Sequence, residues 1–196
     1  MTGMPMSYTL HRILATETPA VVAAEGHVLI GADGKRYIDA CGGAAVSCLG
    51  HSEERVRAAI RDQLDKLAYA HTGFFTNEPA ERLAETLIRR APAGTGEGRV
   101  LFLGSGSEAM EAALKLARQV HLERGEPKRS KLIARTSSYH GNTLGALAVG
   151  GHAGRRAPYD PMLIDVAYID PCYAYRFQRA EGRLRLSEGC HFGNAL

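Results

Sequence analysis

Four cysteines are too few and too scattered to build a metal site or a disulfide framework. Cys41, Cys48, Cys172 and Cys190 show no C-x-x-C spacing, and no two histidines stand four residues apart. That excludes the usual zinc patterns, and the thiols are expected to be buried and unpaired. Long apolar runs are also lacking, so no segment reads as a membrane span. The first twelve residues, MTGMPMSYTLHR, hold no apolar signal core. A cytoplasmic location is therefore the expectation. The chain has no block of like charge, since its formal net charge of +3 is spread along its length. Neither a nucleic acid nor a membrane is an expected partner. There is no internal repeat and no low-complexity segment.

What remains is ordinary globular composition, with 45% hydrophobic and 23% charged residues in a chain of 196. A chain of this size buries roughly 70% of its unfolded surface. Its organising stretch is Arg99 to Arg124, RVLFLGSGSEAMEAALKLARQVHLER. Val100 to Leu103 is an apolar run of strand length, and Gly104-Ser105-Gly106-Ser107 is a turn of small residues. Met110, Ala113, Leu114, Ala117 and Val120 then recur at the spacing of one helix face. Ser105 and Glu108 have capping-box spacing, while Gly125 and Pro127 supply the stop.

A strand, a glycine-serine turn and a helix N-terminus together suit an anion. The first helical turn leaves amides unpaired, and the helix dipole adds partial positive charge there. Spacing alone leaves two readings open: a phosphate site, or serines that only cap the helix.

Earlier in the chain, Val28–Ile30 and Arg36–Asp39 flank an Asp33-Gly34 turn and read as a hairpin. Cys41 to Gly50 is small and glycine-rich, which permits close packing or ligand approach. Glu53 to Ala70 carries a helical stripe of Val56, Ala59, Ile60, Leu64 and Leu67. In the loop that follows, Phe74 and Phe75 are expected to fill core, with pocket lining as the alternative. Asn77 to Arg90 is a second helix, capped by Asn77, with Pro79 in its first turn.

After the central helix, Lys131 to Arg135 and Val166 to Ile169 read as strands. Between them lie the turn Thr136 to Gly141, TSSYHG, and the apolar stretch Leu144 to Val149. This alternation implies right-handed crossovers and a largely parallel sheet. Ligands in such sheets sit beyond the carboxyl ends of the strands, where both the GSGS and the TSSYHG turns fall. The tail from Tyr173 is arginine-rich, and Cys190 to Leu196 looks like the start of a helix.

One reading of the glycine turn is a dinucleotide site, an NAD(P)-binding Rossmann-type protein. Gly104 to Ala109 fits G-x-G-x-x-A, and Arg135 suits a 2′-phosphate. Against it, all of residues 1–99 precede a motif that usually opens its domain. The acidic residue expected at the end of the second strand is also missing.

The second reading rests on a resemblance. LGSGSEAMEAALKLAR resembles the phosphate loop of class III aminotransferases, which are fold type I pyridoxal-phosphate (PLP) enzymes. DGKRYIDACGGAAVSCLGH is similar to that family's N-terminal hairpin and glycine-rich stretch. TNEPAERLAETL, SSYHGNTLGAL and Pro171 to Arg176 also resemble its segments, in the family's order. The resemblance implies an α/β fold, the N-terminal half of a fold type I transferase. A partial, mostly parallel sheet would be flanked by helices and preceded by a small β-hairpin segment. Residues 1–50 would belong to a small domain and residues 51–196 to the first, truncated part of the large PLP-binding domain.

The resemblance also implies roles. Ser105, Gly106 and Ser107 match the cofactor-phosphate turn, and Tyr139 matches the aromatic that stacks on the pyridine ring. His140 and Gly141 complete that motif, with His140 better read as structural. Glu108 matches an acidic position but is better read as a helix-capping partner. Gly104 replaces an expected polar residue.

Implied partners are an amine or amino acid and a 2-oxo acid, with a homodimer or a complementing fragment at the interface. No metal is implied. The family's chemistry also needs a Schiff-base lysine and an aspartate on the pyridine nitrogen, both far downstream of the YHG turn. Neither falls within this chain, whose lysines are Lys35, Lys66, Lys115, Lys128 and Lys131. No catalytic residue is therefore assigned here, and the chain alone is expected to be inactive. A fragment acting only by association with another chain is the non-enzymatic alternative.

Overall fold

The computed structural model describes residues 8–13, 15–94, 97–173 and 175. The sequence expectations for the first seven residues and for the tail beyond 175 lie outside them. The chain packs as two units, one through Leu83 and the other from Ala84.

The first unit holds a three-stranded antiparallel sheet of β1 (Val21–Glu25), β2 (Val28–Gly31) and β3 (Arg36–Ile38). The expected hairpin is present, with Val28 opposite Ile38 and Leu29 opposite Tyr37. The Asp33 carboxylate accepts the Lys35 amide, which closes the turn as the D-G signal predicts. Strand β1 carries no such signal, and it joins by pairing Ala24 with Leu29 and Glu25 with Val28. The single turn α1 (Gly42–Ala45) follows, then α2 (Glu54–Lys66) and α3 (Glu78–Arg89), which runs across the division. Asn77 caps α3 by accepting the Ala80 amide at 3.1 Å.

The second unit contains α4 (Gly106–Glu123), β4 (Ile133–Arg135), α5 (Leu144–Ala148) and α6 (Ala153–Arg156). A 3₁₀ helix (Ala157–Met162) and β5 (Ala167–Ile169) complete it. Strands β4 and β5 pair in parallel with Ala134 opposite Tyr168, so the expected βαβ connection is formed. Ala134, Ala148, Val149, Val166 and Tyr168 make the buried core, with Met110 and Leu114 of α4 packed against it. The fold is α/β, a small antiparallel sheet followed by a parallel pair flanked by helices.

Three expectations are corrected. Val100 to Leu103 forms no strand, and Leu101 is 70% exposed. Apolar composition alone does not make a strand, which exists through its ladder, and this run meets no partner strand among the described residues. Cys41, Cys48 and Cys172 are exposed rather than buried, because they sit on turns at element ends. Phe74 and Phe75 are exposed too, with Phe74 tilted against the His71 ring at 5.3 Å.

Candidate functional site

The site is built on the start of α4. Ser105 adopts an extended conformation at the N-cap, and its hydroxyl accepts the Glu108 amide at 3.2 Å. The Glu108 carboxylate turns back towards the same hydroxyl, 3.4 Å away. Ser105 and Glu108 thus spend their side chains on capping, as their spacing predicts. The amides of Gly106 and Ser107 find no acceptor among the described residues, and they stand at the positive end of an 18-residue helix. A side chain at Gly106 would meet nothing within 4 Å, so the space before these amides is open.

The TSSYHG turn comes to this helix end. The Ser107 hydroxyl donates to Asn142 Oδ1 at 3.1 Å and accepts the Asn142 amide at the same distance. Gly141 is buried against Ser107 with φ of +136°, a conformation that other residues rarely adopt. A Cβ there would stand 2.9 Å from Ser107 Cα, so both dihedral and space demand glycine. The two turns that sequence placed at carboxyl ends are therefore in backbone contact.

Glu111, one turn further along α4, holds the element after that turn. Its Oε1 accepts the Gly145 amide at 2.8 Å and the Ala146 amide at 3.2 Å. Thr143 stands at the N-cap of α5 without making a side-chain cap of its own. Glu111 supplies the cap instead, from a different helix. The need is strict because Ala146 is 0% exposed, and each buried amide left unpaired costs about 1–3 kcal/mol. The Thr143 hydroxyl holds the Glu111 carboxyl below the usual glutamate range; burial opposes this, and the two amides reinforce it.

The residues singled out in the sequence thus divide by environment. Ser105, Gly106 and Ser107 lie together at the N-cap and first turn of α4, with Ser107 tied to the far turn. Tyr139 projects with 64% of its surface exposed, and the Arg155 guanidinium lies 4.9 Å from its ring centroid. His140 is half-buried, and its ring makes no hydrogen bond among the described residues. A cavity of about 310 Å³ opens beyond β4 and β5, lined by Arg135 to Ser138 and Pro171 to Tyr173. It takes in Arg135 and the start of the TSSYHG turn but not Tyr139.

Sequence reasoning missed Asn142, Glu111 and Arg155. For Glu111 a signal existed: it stands at i+4 from Ser107 and beside Met110, at the border of the apolar face.

In the first unit, Asp39 organises the glycine-rich stretch. Its carboxylate accepts from Ser47 Oγ at 2.9 Å and Gly43 N at 3.3 Å, and Oδ2 lies 2.9 Å from His51 Nε2. The Ser47 hydroxyl and then His51 hold its pKa at about 2, against an ordinary 3.8. No group of three or more metal-ligating side chains occurs among the described residues. Nor does any helix there have the length and apolarity to cross a membrane.

Comparison with known proteins gives a consistent result. The Aminotransferase class-III family model matches residues 14–188. An uncharacterized aminotransferase of Schizosaccharomyces pombe is 45% identical over 161 residues, 82% of this chain and 35% of that protein. An acetylornithine aminotransferase of Mycolicibacterium smegmatis is 36% identical over 150 residues, 76% of this chain and 36% of that protein. Among solved structures, the omega transaminase of Pseudomonas jessenii in complex with PMP superposes with a TM-score of 0.78 at 29% identity. It is matched over 91% of this chain and 40% of its own. An adenosylmethionine-8-amino-7-oxononanoate aminotransferase of Methanocaldococcus jannaschii gives 0.78 at 30% identity, over 85% and 39%. The chain spans about a third of the length of the curated relatives it matches, 35% and 36% for the two named.

Proposed function

The chain belongs to the class III aminotransferase family, and from that premise we propose that it carries the phosphate and ring-face part of a pyridoxal-phosphate transaminase site. The observation that supports this reading is the contact of Gly141 with Ser107, which joins the phosphate-loop turn to the YHG turn. The residues fit the cofactor: two amides without acceptors at a helix N-terminus, open space before Gly106, and an exposed tyrosine ring on the adjoining turn.

In this reading Ser105, Gly106 and Ser107 bind the phosphate, chiefly through the amides of Gly106 and Ser107. Tyr139 lies against the pyridine ring and leaves its edges free, and His140 completes the turn that aims Tyr139. Bound there, the cofactor supplies the aldehyde that takes up an amino group and the ring that withdraws electrons from it. The transferred group would come from an amine or amino acid and pass to a 2-oxo acid. Residues 1–50 would serve as part of a small domain, and residues 51–196 as part of the cofactor domain.

None of the five lysines stands on either turn. Lys115 lies within α4, Lys128 and Lys131 precede β4, and Lys131 faces Asp165 at 3.9 Å. We therefore propose that these 196 residues hold the cofactor without themselves supplying its lysine, and that a homologous subunit or a complementing segment of polypeptide is their partner. Titrating the chain with PLP, followed by absorbance and tyrosine fluorescence, tests binding; keto-acid consumption with an amine donor tests turnover. Saturable binding that is lost in Gly106→Pro, without turnover, is expected. Turnover by the chain alone would sink the inactive reading, and failure to bind would sink the cofactor site.

A further inference from the structure

We propose that Glu111 is a positioning residue for this site: by capping α5 from α4, its carboxylate fixes the turn from Tyr139 to Asn142 on the N-terminus of α4. The inference rests on the reading of that turn as the ring-stacking element, and it adds a residue no motif assigned.

The geometry forms a ladder with two rungs. Ser107 and Glu111 stand at i and i+4 on α4, so they share one face. Ser107 meets Asn142 through both hydroxyl bonds, and Glu111 meets Gly145 and Ala146 three and four residues later. Ser138 anchors the start of the turn, donating to the Arg135 carbonyl and accepting the Gly151 amide, and the two rungs anchor its far end. Glu111 is matched to its socket, because a Cβ at Gly145 would come within 2.5 Å of Oε2. The far end of the rung is rigid, since Ala146 is fully buried and Ala148 packs in the core with Ala134 of β4 and Tyr168 of β5. Tyr139 and His140 stand between β4 and these rungs, and their own side chains contribute no hydrogen bond that would hold the turn among the described residues. The fixing force for Tyr139 therefore comes from its neighbours.

The test uses the full chain and four variants. Glu111→Gln keeps an acceptor of the same reach, Glu111→Asp keeps the charge but is one methylene short, and Glu111→Ala removes both. Gly145→Ala leaves Glu111 intact and intrudes on its oxygens. Hydrogen exchange of residues 139–146 is read without cofactor, and PLP affinity is read well below the melting temperature.

Glu111→Asp, Glu111→Ala and Gly145→Ala are each expected to raise exchange at 139–142, outside the capped amides themselves, by tenfold or more. They are expected to weaken PLP binding by a similar factor. Glu111→Gln should restore both to within about threefold, and Gly145→Ala should add little in the Glu111→Ala background. If Glu111→Ala does not fold, the contrast of Glu111→Gln with Glu111→Asp decides, and equal behaviour of the two overturns the proposal. Faster exchange confined to 145–146, or a lower melting temperature with unchanged PLP affinity, also overturns it. A wild-type chain that takes up no PLP refutes the cofactor site itself, a result distinct from a variant series in which all members bind alike.

Discussion

Two carboxylates each hold a turn in this chain, and they do it against different partners. Asp39 gathers Ser47, His51, Cys41 and Gly43 around one carboxyl group, in a unit whose helix faces remain open. Val56, Ile60 and Leu64 of α2 are all exposed there. Glu111 makes two amide bonds, yet its partners lie on an alanine helix seated in the buried core. The first turn is held by the number of hydrogen bonds, the second by the burial of what the carboxylate touches. The Asp39 carboxyl is itself only 7% exposed, but its partner His51 keeps 23% of its side chain in water, so water replaces part of that network when a member goes. The Glu111 cap ends on Ala146, which is fully buried, and has no such substitute.

The comparison breaks most sharply at the contact that needs glycine. Gly141→Ala places a Cβ against Ser107 backbone in a left-handed dihedral, and is expected to cost about 3 kcal/mol or more from strain and overpacking together. Urea unfolding would show this as a lowered midpoint. Glu111→Ala follows, at about 2 kcal/mol for one buried and one half-buried amide stripped of their acceptor. If Glu111→Ala costs no more than Asp39→Ala by the same measurement, burial is not what separates the two turns.

Acid sharpens the contrast from the other side. Asp39 has a folded pKa of about 2 against 3.8 ordinarily, a depression caused first by Ser47 and then by His51. Its stabilisation is therefore complete above about pH 4 and is lost as pH falls through about 2. The unfolding midpoint of the wild type should approach that of Asp39→Asn across this window and should differ from it above. A constant difference from pH 5 to pH 2 would mean that the carboxylate charge plays no part in holding the loop.

Local signals carried most of the fold into the sequence. The Asp33-Gly34 hairpin, the Ser105 and Asn77 caps and the apolar stripes of the helices all depend on neighbours within a few residues. Val100 to Leu103 misled because a strand depends on a partner elsewhere, and composition does not report one. The thiols of Cys41 and Cys172 misled similarly, since burial is a property of the fold and only an average tendency of the residue. Of the candidate site, glycine spacing marked Gly104 to Ser107, and the alternation of strands and apolar segments marked the TSSYHG turn. What joins them was hidden, because Ser107 and Asn142 are 35 residues apart and neither spacing nor periodicity links them.

Two consecutive arginines give the finest form of the comparison. Arg156 lies 4.1 Å from the ring centroid of the buried Tyr168, and Arg155 lies 4.9 Å from that of the exposed Tyr139. The Nε of Arg156 is itself buried without a hydrogen-bond partner among the described residues, and the ring face lies beside it. A cation over a ring contributes about 0.5–1 kcal/mol in water and about 2 kcal/mol when desolvated. Arg156→Ala is thus expected to lower the urea midpoint clearly, whereas Arg155→Ala should cost about 0.5 kcal/mol or less. The exposed pair should instead register in chemistry at the ring. Nitration of Tyr139 should run faster in Arg155→Ala, because the guanidinium no longer shields one face. Equal midpoints for the two variants would show that the core under Tyr168 adds nothing to the same contact made at the surface.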